Sequence, residues 1–333
     1  MNGLPFDSET AVARLCALQR RLRDHLLEEL RKQGDVMADV ARDDDAEGDI
    51  IYFIDEKAED ILFEECKAWG RETPFVLVAE GIPGNGWRPF PEGTDPADAA
   101  FLLVVDPIDG TREIMFNRRS AWALAGIAPN KGAETNLSDI EIAVQTELPT
   151  TKALYADTLW AVRGQGARAE RQNLVTGDVT PFTPRPTRAA SIAHGFASVS
   201  KFFPGSKAAV AQMEERLFAE VMGGTEGENP LVFEDQYVST GGQLYEIMVG
   251  HDRFNADLRP LFVPRDATRL ACHPYDLCTE LIAREAGVIV TNERGEPLSA
   301  PLDIRAALSW IAYANKDIER QLAPTLLRLL SEI

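Results

Sequence analysis

Val104-Val105-Asp106-Pro107-Ile108-Asp109-Gly110-Thr111 is the stretch around which this 333-residue chain is organised. It closes an apolar run, Phe101 to Val105, and turns at once into two carboxylates. Pro107 has no backbone donor and a fixed φ, so the strand that the run predicts cannot continue unchanged. Gly110 permits a conformation that a side chain would penalise. Asp106 and Asp109 are thereby held close together at the end of a rigid element. Two carboxylates in one small space repel each other, and a divalent cation is the usual remedy. The amides of Gly110 and Thr111 are placed to open a helix and face an anion. A hard-metal site beside an anion cradle implies phosphate chemistry. The plain alternative is a strand-to-loop turn with two solvated aspartates.

Composition narrows the classes. The chain is long enough for two domains or one large layered domain, and at 45% hydrophobic residues it reads as globular. The net charge of -19 argues against a nucleic-acid backbone or an anionic membrane as partner. Four scattered cysteines predict a reduced compartment, and no signal peptide or membrane span is legible, so the expected location is cytoplasmic. An anionic substrate would still need local cations to overcome the acidic field.

Ser8 to Gln33 carries Ala11, Leu15, Leu18, Leu22, Leu26 and Leu30 at helical spacing. A second helix is predicted over Asp55 to Trp69, with Asp55 as a possible N-cap. Phe75 to Ala79 reads as a buried strand ending in Glu80, a place where sheet proteins often put site residues. The Gly- and Pro-rich stretch from Gly81 to Ala100 reads as a long loop with the character of a lid. Strands are predicted at 121–128, 140–146, 151–156 and 159–162, giving an antiparallel run. Pro181, Pro184 and Pro186 mark a hinge between two halves, 1–186 and 187–333. Helices are then expected over 206–222, 239–249 and 274–287. Asp276 would sit in the first turn of the last of these, at the positive end of its dipole. Short strands at 288–290 and 306–312 precede a terminal helix, 315–333, interrupted by Pro324.

Four pieces stand in order: Ile54-Asp55-Glu56-Lys57-Ala58-Glu59, Val78-Ala79-Glu80, the Asp106-to-Thr111 motif, and Tyr275-Asp276 followed by Arg284-Glu285-Ala286-Gly287. Together they resemble the inositol monophosphatase family, within the Mg²⁺-dependent, lithium-sensitive phosphatases that include fructose-1,6-bisphosphatase. The resemblance spans most of the chain. It implies an α/β (α+β) fold, a layered α/β/α/β/α sandwich, and it implies a homodimer. It makes Glu80, Asp106, Asp109 and Asp276 metal-binding carboxylates, with the Ile108 carbonyl as a further ligand. Thr111, oriented by Asp55, would help activate the attacking water, with Glu80 beside it. The amides of Gly110 and Thr111 would hold the phosphate. Two or three Mg²⁺ ions per site are implied, and oxygen ligands suit them. Bound Mg²⁺ also inverts the local potential, which answers the acidic net charge.

The chain departs from the family pattern at Gly81, where many members carry a second acid. Seven positions before Asp276, where inositol-specific members carry an acid, it has Arg269. An Arg there suits a second phosphate better than a neutral polyol. Arg253, Arg259 and Arg265 lie in the same basic stretch, and Arg118 and Arg119 follow the central motif. The expected function is hydrolysis of a small phosphorylated metabolite such as an inositol monophosphate. The alternatives are a fructose-1,6-bisphosphatase, a 3′-phosphoadenosine-5′-phosphate phosphatase, or a non-catalytic relative that only binds metal or phosphosugar.

Overall fold

A computed structural model describes residues 4–33, 40–43, 50–224, 230–263 and 271–333, with the side chains of 33, 40–43 and 50–56 left aside. In chain order the regular elements begin with α1 (Ser8–Gln33), β1 (Val40–Asp43), β2 (Ile50–Tyr52), α2 (Phe53–Gly70), β3 (Phe75–Ala79) and β4 (Trp87–Phe90). Then come β5 (Phe101–Asp109), α3 (Thr111–Met115), β6 (Ala121–Pro129), β7 (Ile142–Leu148), β8 (Tyr155–Val162), β9 (Ala167–Asn173) and β10 (Val179–Phe182). The remainder are β11 (Gly195–Val199), α4 (Lys207–Met222), β12 (Val232–Phe233), α5 (Thr240–Met248), β13 (Asp252–Asp257), α6 (Glu280–Ala286), β14 (Ile289–Thr291), β15 (Trp310–Tyr313) and α7 (Lys316–Leu330).

Two large sheets carry the fold. One has eight strands in the order β10-β9-β8-β7-β6-β5-β3-β4, and the other five in the order β12-β11-β13-β15-β14. Alternation along β3 and β5 assigns the faces of the first sheet. Phe75, Leu77, Phe101, Leu103 and Val105 pack against the apolar stripes of α1 and α2, including Leu15, Leu22 and Leu62. Val76, Val78, Leu102 and Val104 point the other way, into a core shared with Leu244 and Ile247 of α5 and with Leu281 and Ile282 of α6. That same core reaches Val290, Trp310 and Ala312 of the second sheet. The opposite face of the second sheet, with Phe254, Ala256 and Ile311, packs on Val210 and Leu217 of α4 and Leu322 and Leu326 of α7. The order helix, sheet, helix, sheet, helix is therefore built, and the expected layered α/β sandwich is present.

The structure corrects several expected elements. Gly81 to Ala100 contains β4, which pairs antiparallel with β3, and Trp87 donates its indole N–H to Leu302 O at 2.8 Å. A segment pinned in this way to a sheet edge is not a free lid. One strand, β8, stands where two were expected at 151–156 and 159–162, and 151–154 turns ahead of it. Its buried Asp157 is neutralised by Arg171 and so does not break the strand. Strands β9 and β10 extend the sheet beyond it. Pro324 lies inside α7 without ending it. No helix among the described residues is long and apolar enough to cross a membrane.

Candidate metal centre

Asp106 and Asp109 stand at the end of β5, where pairing with β6 loses register between them. The irregularity follows from Pro107. The Ile108 amide turns inward and donates to Asp106 Oδ1 at 2.9 Å. Gly110 then takes φ 93°, and a Cβ there would lie 3.0 Å from Ser239 Cβ, so both backbone angle and space call for glycine. Thr111 opens α3 and its hydroxyl donates to Ile108 O at 2.9 Å.

Asp109 is held from its other side by the start of α5. Ser239 Oγ donates to Oδ2 at 2.8 Å, the Gly241 amide donates to the same oxygen at 2.6 Å, and the Thr240 amide reaches Oδ1 at 3.3 Å. Gly241 permits the approach, since a Cβ there would stand 2.6 Å from Leu124 Cδ2. Asp276 comes from a series of turns ahead of α6, and its Oδ2 accepts from the His273 amide at 2.6 Å. The expected helix over 274–287 is thus shortened to Glu280–Ala286, and Asp276 lies before its first turn. The carboxylate closes its own turn on His273 instead of using a helix end.

One oxygen from each of Asp106, Asp109 and Asp276 lies within 4.8 Å of the other two. They line a cleft of about 130 Å³ together with Glu80, Ile108, Gly110 and Thr111. Glu80, just after β3, is exposed on the rim and outside that tight group. Burial pushes Asp106 well above the ordinary carboxyl range, and repulsion from Asp109, Asp276 and Glu80 adds to it. Burial likewise raises Asp276, with Asp109 the next cause. Burial lifts Asp109 to about 6 against the pull of the Gly241, Ser239 and Thr240 donors. A cluster of this kind cannot hold three negative charges without a cation. Its donors are all oxygen, which fits a hard divalent ion such as Mg²⁺. Cys272 also lines the cleft, but burial keeps its thiol protonated, and neither it nor Cys278 belongs to a ligand group among the described residues.

The lining of the cleft also carries cations, Arg112 and Arg259. Arg259 is buried and paired with Asp257, its Nε lying 2.8 Å from Oδ1 and its Nη2 2.5 Å from Oδ2. Its guanidinium also lies over Phe202 and Phe203, at 4.8 and 5.2 Å from their ring centroids. Of the other arginines, Arg119 is tied to Asp235 and Glu246 and stacked on Tyr237, and Arg253 donates to Ser191 O and Ala193 O, so neither faces the cleft. Arg118 is exposed and away from the lining. Asp55 falls in the first turn of α2, which starts two residues earlier than expected, and its side chain lies outside the described residues. Arg265 and Arg269 also lie outside them.

Sequence reasoning missed Ser239, Gly241, Phe202 and Phe203. A signal existed for the first two, because Ser-Thr-Gly-Gly marks a helix start whose glycines have no purpose in a helix standing alone.

No protein-family model matches the chain. A curated relative from Methanothermobacter thermautotrophicus, named fructose-1,6-bisphosphatase/inositol-1-monophosphatase, is 26% identical over 285 residues, covering 84% of this chain and 85% of the relative. Among solved structures, the fructose-1,6-bisphosphatase of Leishmania major superposes with a TM-score of 0.68 at 12% identity, over 99% of this chain and 96% of that one. The inositol monophosphatase of Anabaena superposes at 0.58 and 15% identity, over 98% and 95%. In fold over nearly its whole length, and in sequence over 84% of it, the chain is similar to proteins named as inositol monophosphatases and fructose-1,6-bisphosphatases, the family that its motifs resemble.

Proposed function

We propose that the protein is a Mg²⁺-dependent phosphomonoesterase acting on a small phosphorylated metabolite. The observation that carries this is the convergence of Asp106, Asp109 and Asp276 in one cleft with Gly110 and Thr111. In this reading the halves 1–186 and 187–333 each supply ligands. Asp106, Asp109, Asp276 and Glu80 hold the cations. Ile108 O, which keeps a second lone pair beside its bond from Thr111, is a further ligand. Mg²⁺, when bound, neutralises phosphoryl oxygens, lowers the pKa of a bound water and stabilises the leaving alkoxide. Thr111 and Asp55 orient that water, and the Gly110 and Thr111 amides hold the phosphate. The uncatalysed reaction is among the slowest in water, so charge stabilisation on this scale is what the chemistry demands.

A bisphosphorylated substrate, as in the fructose-1,6-bisphosphatase alternative, has one specific observation in its favour. Arg259 places a fixed guanidinium in the lining of the cleft that holds the acids. The test is phosphate release by purified protein from inositol 1-phosphate, fructose 1,6-bisphosphate, 3′-phosphoadenosine 5′-phosphate and β-glycerophosphate, with and without Mg²⁺ and Li⁺. Mg²⁺-dependent, Li⁺-inhibited release is expected. Absence of release with Mg²⁺ still raising the melting temperature would favour the non-catalytic binding reading. Absence of both would overturn the proposal.

A further inference from the structure

We infer that Gln145 is a positioning residue that sets the separation of Asp109 and Asp276, and through it the metal affinity of the centre. The inference rests on the reading of the acid cluster as a metal site. Gln145 lies in β7, fully buried, with Ala143 and Val144 before it as apolar neighbours. An amide in such a place must have both ends satisfied, and an apolar side chain would fill the space without that demand. Its two ends reach the helix start that grips Asp109 and the end of the turns that carry Asp276. Nε2 donates to Gly241 O at 2.7 Å, and Oε1 accepts from Thr279 Oγ1 at 3.0 Å.

One contact leads to an aspartate through a hydrogen bond, the other along three residues of chain. Gly241 is the residue whose amide holds Asp109 Oδ2, so Gln145 fixes by its carbonyl the same residue that grips the carboxylate by its N–H. Thr279 ends the turns that begin at His273 and contain Asp276. Thr279 stands at the N-cap of α6, where a hydroxyl ordinarily accepts from the helix's first amides, yet it makes no such bond. Its hydroxyl goes to Gln145 instead. The result is a continuous tie, Asp109 to Gly241 to Gln145 to Thr279, anchored on an inner strand of the eight-stranded sheet. Mg²⁺ accepts little departure from octahedral geometry, so the spacing of its carboxylates matters to affinity. Outer partners that orient metal ligands commonly change affinity by about 10–100-fold when removed.

The test measures Mn²⁺ binding to the full chain, by loss of the free-ion electron paramagnetic resonance signal, alongside melting of the metal-free protein. Mn²⁺ takes the same oxygen ligands as Mg²⁺. Gln145→Leu and Thr279→Val should each weaken Mn²⁺ about tenfold or more while melting remains cooperative, and Thr279→Ser should keep the wild-type affinity. The double variant Gln145→Leu/Thr279→Val should bind no more weakly than Gln145→Leu alone, because both cut one tie. Folded variants that bind Mn²⁺ as wild type does would overturn the inference, whatever their melting temperatures. If Gln145→Leu does not fold, Thr279→Val beside Thr279→Ser decides. A wild-type chain that binds no Mn²⁺ would overturn the metal reading itself, a result distinct from the failure of the variants alone.

Discussion

Asp109 is where opposing demands on a single residue are sharpest. Donors from the start of α5 favour its charged form, burial disfavours it more, and the carboxyl is lifted to about 6. A carboxyl raised from about 3.9 in the unfolded chain holds its proton more tightly in the fold. The metal-free fold therefore carries no penalty from it below about pH 4, loses stability as the pH rises through about 4 to 6, and bears the full penalty above. Asp109→Asn removes this titration along with a ligand. Its melting temperature relative to wild type should climb across that window, by an amount on the order of 1–3 kcal/mol of stability, while Mg²⁺-dependent phosphate release is lost. Parallel melting profiles of the two proteins from pH 4 to 7 would count against the assignment. Thr111 separates chemistry from binding. Thr111→Ala should lower kcat by about 10²-fold or more with Mn²⁺ affinity kept, and Thr111→Ser should restore turnover. Equal kcat for the alanine variant would remove Thr111 from the reaction. Asp106 and Asp109 were legible because Pro107 and Gly110 make the turn in plain view. Asp276 was legible only through resemblance. Ser239 was hidden because its partner lies 130 positions away.

Elements became legible in proportion to how one-sided their burial is. α1 has one apolar stripe on one sheet face, and both its ends were read correctly. β9 and β10 were missed because β9 alternates weakly and β10 is a largely exposed edge strand with a proline. β4 was missed because Gly and Pro surround it, although Trp87 and Phe90 turn inward. The turns around Asp276 look helical in sequence because Leu277, Leu281 and Ile282 keep a helical period whether or not the backbone does. α5 belongs to a third kind, an element whose start is shaped by a partner from another part of the chain. Gly241→Ala tests this. The added methyl meets Leu124 at 2.6 Å and the Asp109 carboxylate at 3.0 Å. Overpacking of this sort costs about 1–3 kcal/mol. The same displacement should weaken Mn²⁺ binding, so both quantities should fall together in melting and titration. Loss of stability with unchanged Mn²⁺ affinity would show that α5 supports the fold without shaping the site.

At the scale of the whole molecule, the five layers bring acids from two distant parts of the chain to one cleft. Glu80 follows β3 and Asp106 and Asp109 end β5 of the first sheet, and Asp276 comes from turns before α6 in the layer between the sheets. This layering was legible through resemblance, whereas the wall formed by Phe202, Phe203 and Arg259 depended on packing that no local pattern records. The net charge of -19 adds a general effect that must be separated from the site. Self-repulsion of an acidic surface is relieved by any cation, because screening acts within about 10 Å at 0.1 M salt. Specific binding adds a stabilisation that grows as the logarithm of ligand concentration, about 2.7 kcal/mol at one hundred times Kd. Melting in Mg²⁺ and in KCl of matched ionic strength distinguishes the two. In wild type Mg²⁺ should raise the melting temperature by several degrees beyond KCl, and in Asp109→Asn the two salts should act alike. An equal response of wild type to both salts would mean that Mg²⁺ acts on the surface alone. The acid cluster would then have to be carried by protonation, as the raised Asp106 and Asp276 carboxyls would allow.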